Sequence, residues 1–281
     1  MNLVNITEEN IKTFSNLVDR DVACNMDRSF YKGLGVLDDQ DEAVGALIYE
    51  LLDYDSDEDT KSRIHWLKVT EDGAADLLMS AYQVSMKDEE VTESRFVTRD
   101  ERMESLLRTH GFETKQAQSP DILVTVGDIK KLAALTGGKS LPSYIQSVEN
   151  VTLVQYRMFL KKTLIKGRFG ILEDLSYLPL TWFDREISSC SMADNNIDGI
   201  LLVRRMPSQT LMPCLFTAFG LDFQKNLGAI MVHSAQKIVE AYPEDVKVLI
   251  RRHNAAVKKL TDKFFPQVTG EKVFVGIRRE G

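Results

Sequence analysis

The chain repeats itself. "AVGALIY" at residues 43–49 and "IDGILLV" at 197–203 each set a glycine near the start of an apolar run, and Gly45 and Gly199 are 154 residues apart. Fifty-five residues past each glycine a second pair of segments opens: "DERMESLLRTHGF" on Asp100 and "NAAVKKLTDKFFP" on Asn254. Leu106 and Leu260 keep the same 154-residue offset. Two features holding one register over such a distance mark a duplication. The reading is two copies of one unit, spanning 1–135 and 145–281, with the Gly- and Pro-containing stretch 130–144 as the junction.

Within each copy the hydrophobic period alternates between that of a strand and that of a helix, so each is a mixed α/β unit. In the first, 6–21 predicts a helix with Thr7 as N-cap, 31–39 and 42–52 predict strands, and 53–63 an acidic hairpin loop. Strand 64–69, an apolar-faced helix over 73–86, strand 91–98 and the short helix from Asp100 to Gly111 follow. That helix carries an N-cap aspartate and a terminal glycine, and its apolar face (Met103, Leu106, Leu107, with Phe112 beyond) reads as a packing wall. Strand 121–127 closes the copy. The second copy offers strands at 186–193, 198–205 and 211–219, the last interrupted by Pro213. A helix over 226–242, strand 246–252, the helix from Asn254 and strand 272–279 complete it.

A hydrophobic content of 43% with 27% charged residues suits a globular core. Three scattered cysteines, Cys24, Cys190 and Cys214, form no disulfide framework, and no apolar run reaches membrane-spanning length. The expectation is a cytoplasmic protein without membrane association. The net charge of −7 is uneven: residues 1–140 carry 28 acidic and 16 basic side chains, residues 141–281 carry 14 and 19. The acidic half disfavours nucleic acid, and the basic half favours a phosphorylated small molecule.

The order of strands and helices, together with the capped segments at Asp100 and Asn254, resembles the GNAT superfamily of N-acetyltransferases. The resemblance implies two tandem GNAT-like domains of α/β class, acetyl-CoA as co-substrate and a small-molecule or peptide amine as acceptor. It implies a glycine-containing loop leading into a helix N-terminus, where backbone N–H groups hold the pyrophosphate. By the family's loop pattern the counterparts are 70–75 in the first copy and Gln224, Lys225, Asn226, Leu227, Gly228 and Ala229 in the second. Glu71 and Asp72 set the first copy against phosphate, whereas Lys225 and the basic residues around the last helix favour the second. Ala218 and Phe219 on the interrupted strand would hold pantetheine, and Asn254 would line the channel.

The family's acid, a tyrosine seven residues after the motif's asparagine, falls on Leu107 and Thr261 here. His65, Cys214 and Thr261 are the weak candidates for proton transfer, and His233 reads as a surface helix residue. The four histidines lack metal-ligand spacing, so no metal is expected. The main reading is an N-acetyltransferase whose second copy binds the donor. The alternative is a non-catalytic protein of the same fold with a binding or regulatory role.

Overall fold

A computed structural model of the chain describes residues 1–52, 60–135, 141–165, 179–252 and 255–280. It forms two compact units, Met1–Ser119 with Glu271–Gly281, and Pro120–Gly270.

The first unit is a seven-stranded sheet. Its strands are β1 (Asn2–Ile6), β2 (Tyr31–Leu37), β3 (Ala43–Leu52), β4 (Lys61–Val69), β5 (Glu93–Thr98), β6 (Glu113–Gln118) and β13 (Lys272–Arg279), in the order β1-β2-β3-β4-β5-β13-β6. Helices α2 (Ala74–Asp88) and α3 (Glu101–Thr109) bury Leu78, Met79, Tyr82, Met103 and Leu107 against it. Asp100 caps α3 by accepting from the N–H groups of Arg102 and Met103. Met103, Leu107 and Phe112 are buried, so this helix is the wall its sequence implies. The helix expected over 6–21 is absent. Asn10 instead accepts from Thr7 N–H and donates to Asn5 O, and this local bonding competes with helix formation. Only a 3₁₀ turn at Ile11–Phe14 and a four-residue α1 (Arg20–Ala23) form there.

The second unit is a six-stranded sheet with strands β7 (Ile122–Thr125), β8 (Ile145–Ser147), β9 (Ser189–Ala193), β10 (Asn196–Arg205), β11 (Leu211–Ala218) and β12 (Lys247–Ile250). Their order is β7-β12-β11-β10-β9-β8. Helices α4 (Val126–Leu135), α5 (Leu153–Ile165), α6 (Phe223–Ala241) and α7 (Ala255–Phe264) complete it.

The strand that closes each repeat is exchanged. Ile122 of β7 and Gly276 of β13 stand one repeat offset, 154 residues, apart. Yet β7 pairs with β12 of the second sheet, and β13 lies between β5 and β6 of the first. The strand pairing therefore divides the chain elsewhere than 1–135 and 145–281. Residues 130–135 of the expected junction are helical, within α4, and 136–140 lie outside the described residues. The acidic loop 53–59 lies outside them too.

A Cβ on Gly276 would meet Phe96 Cε1 at 2.1 Å, so β13 is fitted to the ring of its neighbour strand. Arg278 fixes its end: both guanidinium NH groups and Nε are used, on Glu280 and on His110 O, while the group lies over the rings of Phe112 and Tyr82. Replacement of Gly276 by valine is expected to cost about 1–3 kcal/mol through overpacking. Hydrogen exchange of the full chain should show faster exchange in β5 and β6, with β10 and β11 unchanged.

Candidate functional site

In both units two neighbouring parallel strands part. β4 and β5 pair from Lys61↔Glu93 to Ile64↔Phe96 and no further. β11 and β12 pair only at Leu211↔Val248. Each diverging strand also carries a bulge. The β3–β4 register skips His65 and the β10–β11 register skips Cys214, so these two residues occupy equivalent places.

The wedge opened by the divergence is filled in one unit and hollow in the other. In the first, Tyr82, Met86, Phe96, Leu107 and Phe112 are buried in one cluster. The Tyr82 hydroxyl lies 2.9 Å from Ser62 Oγ and 2.8 Å from Ser94 Oγ, and burial pushes its pKa up to about 12. In the second, β11, β12, α6 and α7 line a half-open cavity of about 210 Å³. Residues 213–216 of the bulged strand, Val248 and Ile250 of β12, Met231, Val232, Ser234, Ala235 and Ile238 of α6, and Leu260, Thr261, Phe264 and Phe265 on and just after α7 form its walls.

The loop that enters the helix beside the wedge is also shared. Gly73 (φ 84°) precedes α2 and Gly220 (φ 91°) precedes α6, both left-handed, both with open space where a Cβ would stand. This moves the expected phosphate window. Residues 224–229 are not a loop but the first two turns of α6, because Asn226 N–H already donates to Asp222 O at 3.0 Å. Gln224 and Lys225 are exposed on the first turn, where an anion can meet the helix end. Asn226 is buried, donating to Asp198 Oδ2 at 3.1 Å and accepting from Tyr144 Oη at 3.3 Å, so it is a packing residue. Leu227, Gly228 and Ala229 lie deeper in the helix, where the ladder takes their amides. Ala218 is buried and pairs with Gly199. Phe219 spends its N–H on Asp198 O at 2.7 Å and packs its ring on Phe159. Gly220 was invisible to a search by repeat offset; its signal was a glycine directly after an apolar strand.

The remaining candidates fall in different settings. His65 Nε2 lies 2.8 Å from Glu50 Oε2, and the imidazole stacks on Tyr31 at 5.1 Å. Glu50 is 1% exposed, and its Oε1 has no partner among the described residues. Such a buried carboxylate fixes one tautomer and orientation of the imidazole, the arrangement of a general base. Cys214 is buried, its thiol 3.2 Å from Met212 O. Thr261 lines the cavity but bonds its hydroxyl to the carbonyls of Val257 and Lys258, both at 3.0 Å. Asn254 and His253 lie outside the described residues. Burial pushes the Cys190 thiol up to about 12, which removes it as a nucleophile near neutrality. Tyr156 of α5 is a residue the sequence did not single out. Burial and the neighbouring Cys214 both raise its pKa, so its phenol stays protonated beside the bulge. Among the described residues no three His, Cys, Asp or Glu side chains gather for a metal, and no helix is long and apolar enough to cross a membrane.

Neither a protein-family model nor a curated protein sequence matches the chain. Solved structures do. A tandem GNAT protein from the clavulanic acid biosynthesis pathway, determined without AcCoA, aligns over 100% of this chain and 98% of its own, with a TM-score of 0.62 at 9% identity. A probable N-acyltransferase from Enterococcus faecalis V583 aligns over 99% of this chain and 72% of its own, with 0.55 at 10%. L-PGS from Bacillus licheniformis aligns over 96% and 90%, with 0.55 at 6%. The chain thus has a mixed α/β fold of the GNAT type, in tandem.

His233 is half-buried rather than superficial, with Nδ1 2.8 Å from the buried Ser189 Oγ. Burial first, and Lys237 second, hold its pKa below the ordinary 6.5. The unfolded chain therefore takes up this proton at a higher pH than the native one. Its contribution to stability is complete above pH about 6.5 and is lost as the pH falls toward the depressed native value. His233→Gln should flatten that acid-side decline in the melting temperature between pH 7.5 and 5, while changing little at pH 7.5.

Proposed function

We propose that the chain is an N-acyltransferase and that its second unit binds the acyl-CoA donor. The single observation that carries this reading is the parting of β11 from β12 after Leu211↔Val248, onto a cavity at the bulge. The first unit has the same parting but a filled wedge, and Glu71 and Asp72 flank its glycine loop. In the second unit the α6 N-terminus and Lys225 would meet the pyrophosphate, and the open edge of β11 would bond the pantetheine amides. The helix dipole and one ammonium outweigh the single carboxylate of Asp222 at that end.

An amine would attack the thioester carbonyl directly. The C–N bond forms, the C–S bond breaks, the amine loses a proton to water or a base, and the CoA sulfur takes one. Thr261 cannot serve as the acid, since a hydroxyl bonded to its own helix is a poor donor. The departing thiolate takes its proton from water. Transfer of a CoA-borne acyl group, an amine acceptor and a cytoplasmic setting belong to this proposal. A non-catalytic reading has one observation in its favour: the family's acid position holds buried Leu107 in one unit and engaged Thr261 in the other.

Calorimetry of the full chain with CoA and acetyl-CoA tests the donor site. Binding in the micromolar range is expected, weakened about five- to tenfold by Lys225→Glu and unchanged by Lys87→Glu, an equal charge change in the first unit. Absence of heat with every CoA species would falsify the reading. Release of free thiol in the presence of an amine panel separates the two alternatives. Turnover with any amine would support the transferase reading, and binding without any turnover would leave the non-catalytic alternative.

A further inference from the structure

We infer that the cavity of the second unit seats the hydrocarbon tail of an acyl group of about six to ten carbons, with Arg251 at its carbonyl end. The inference rests on the reading of this unit as an acyl-CoA site and names the donor class more narrowly.

Size comes first. A dry apolar cavity of about 150 Å³ takes up benzene, a six-carbon ligand. In proportion, about 210 Å³ holds about eight carbons. An acetyl group would leave most of that space empty, and an unfilled void costs contacts on every wall.

The walls come second. Leu201, Val203, Val248, Ile238 and Phe264 present only hydrocarbon. The two side-chain hydroxyls at the cavity are already satisfied: Ser234 donates to Ile187 O, and Thr261 donates within α7. Apart from Arg251, neither the pantetheine amides nor a cluster of waters would find side-chain partners among the described lining. A chain of methylenes needs none.

Position comes third. Counting on from Leu211↔Val248 sets Arg251 level with Cys214, the bulge residue. Arg251 lines the cavity, and its Nε is buried without a partner among the described residues. An unmet guanidinium N–H fits a carbonyl or carboxylate oxygen. The first residue of α6 at the cavity is Met231, about 12 Å along the helix from Phe223 at its N-terminus. An extended pantetheine arm spans that gap, so a thioester anchored at the helix end arrives at the cavity mouth. One polar anchor followed by a long apolar space is the outline of an acyl chain.

The test is calorimetry of the full chain with CoA, acetyl-CoA, octanoyl-CoA and free octanoate. Octanoyl-CoA should bind at least tenfold more tightly than acetyl-CoA. Ala235→Leu, which fills the cavity, should abolish that advantage and leave free CoA unchanged; Ile238→Phe serves the same end should the first variant fail to fold. Arg251→Met should weaken octanoyl-CoA several-fold more than CoA. Equal affinity for acetyl- and octanoyl-CoA, or an advantage that survives both filling variants, would overturn the inference and leave the donor site standing. Octanoate bound in a cavity-dependent way, with no CoA species bound, would support the acyl seat and sink the CoA reading instead.

Discussion

The structure depends on where the last strand of each repeat goes. β13 sits between β5 and β6, paired on both sides, so without it the first sheet has two separate pieces. Its partners are far away in sequence: Val275 pairs with Val97 and with Lys115. Closing a loop of that length costs chain entropy that the contacts of β13 must offset. The fit is correspondingly specific. Gly276 yields its side-chain volume to Phe96, and Arg278 reaches into the aromatic cluster beneath α2 and α3. Those contacts select β13 over β7, although the two strands descend from one position of the repeat.

Selection by packing also explains how the two wedges parted. Both copies keep a glycine on the third strand of the repeat, and for the same reason. A Cβ on Gly45 would press on Leu78 and Ala74 of α2, and one on Gly199 would press on Ile230 of α6 and on Ala218. That close approach brings the helix down on the sheet and shapes the wedge. Tyr82 then fills the first wedge and satisfies its hydroxyl with Ser62 and Ser94, which are themselves fully buried. Emptying such a site would strip the buried Ser62 hydroxyl of that bond, a cost of about 1–3 kcal/mol, whereas Ser94 keeps Glu280. Among the described residues the second wedge has no large aromatic at its centre, its two hydroxyls bond to backbone carbonyls, and Arg251 Nε is unmet. One copy fills its wedge with core; the other leaves the space and lines it with hydrocarbon.

Much of this was legible in the sequence. The 154-residue offset, the paired glycines and the capped α3 all follow from local pattern, and local pattern is what a single sequence carries. The strand exchange was not legible, because β7 and β13 read alike as apolar strands and only distant packing tells them apart. The stretch 224–229, reached by extending a fixed offset across a loop of different length, is helix rather than loop. Gly73 and Gly220 are 147 residues apart, not 154, and a positive φ rather than a spacing identifies the pair. Thr7 looked like a helix cap, but Asn10 three residues later turned the backbone on itself. His233 looked superficial because nothing in its helix announces that Ser189, 44 residues earlier, lies against it.

The bulges show how chemistry and space have separated. The extra residue in β4 is a histidine held by a buried glutamate, a pair that can accept a proton. The extra residue in β11 is a cysteine closed in by its own strand, with a phenol nearby that resists ionisation. One bulge therefore offers a candidate base without a hollow wedge, and the other, among the described residues, a hollow wedge without such a base. An amine reaching the second bulge must arrive already neutral or lose its proton to water. The depressed pKa of a partly desolvated amine makes the first route cheaper, since burial disfavours its charged form before attack begins. An acyl seat of the kind inferred would add to that desolvation, so the feature selecting the donor would also prepare the nucleophile.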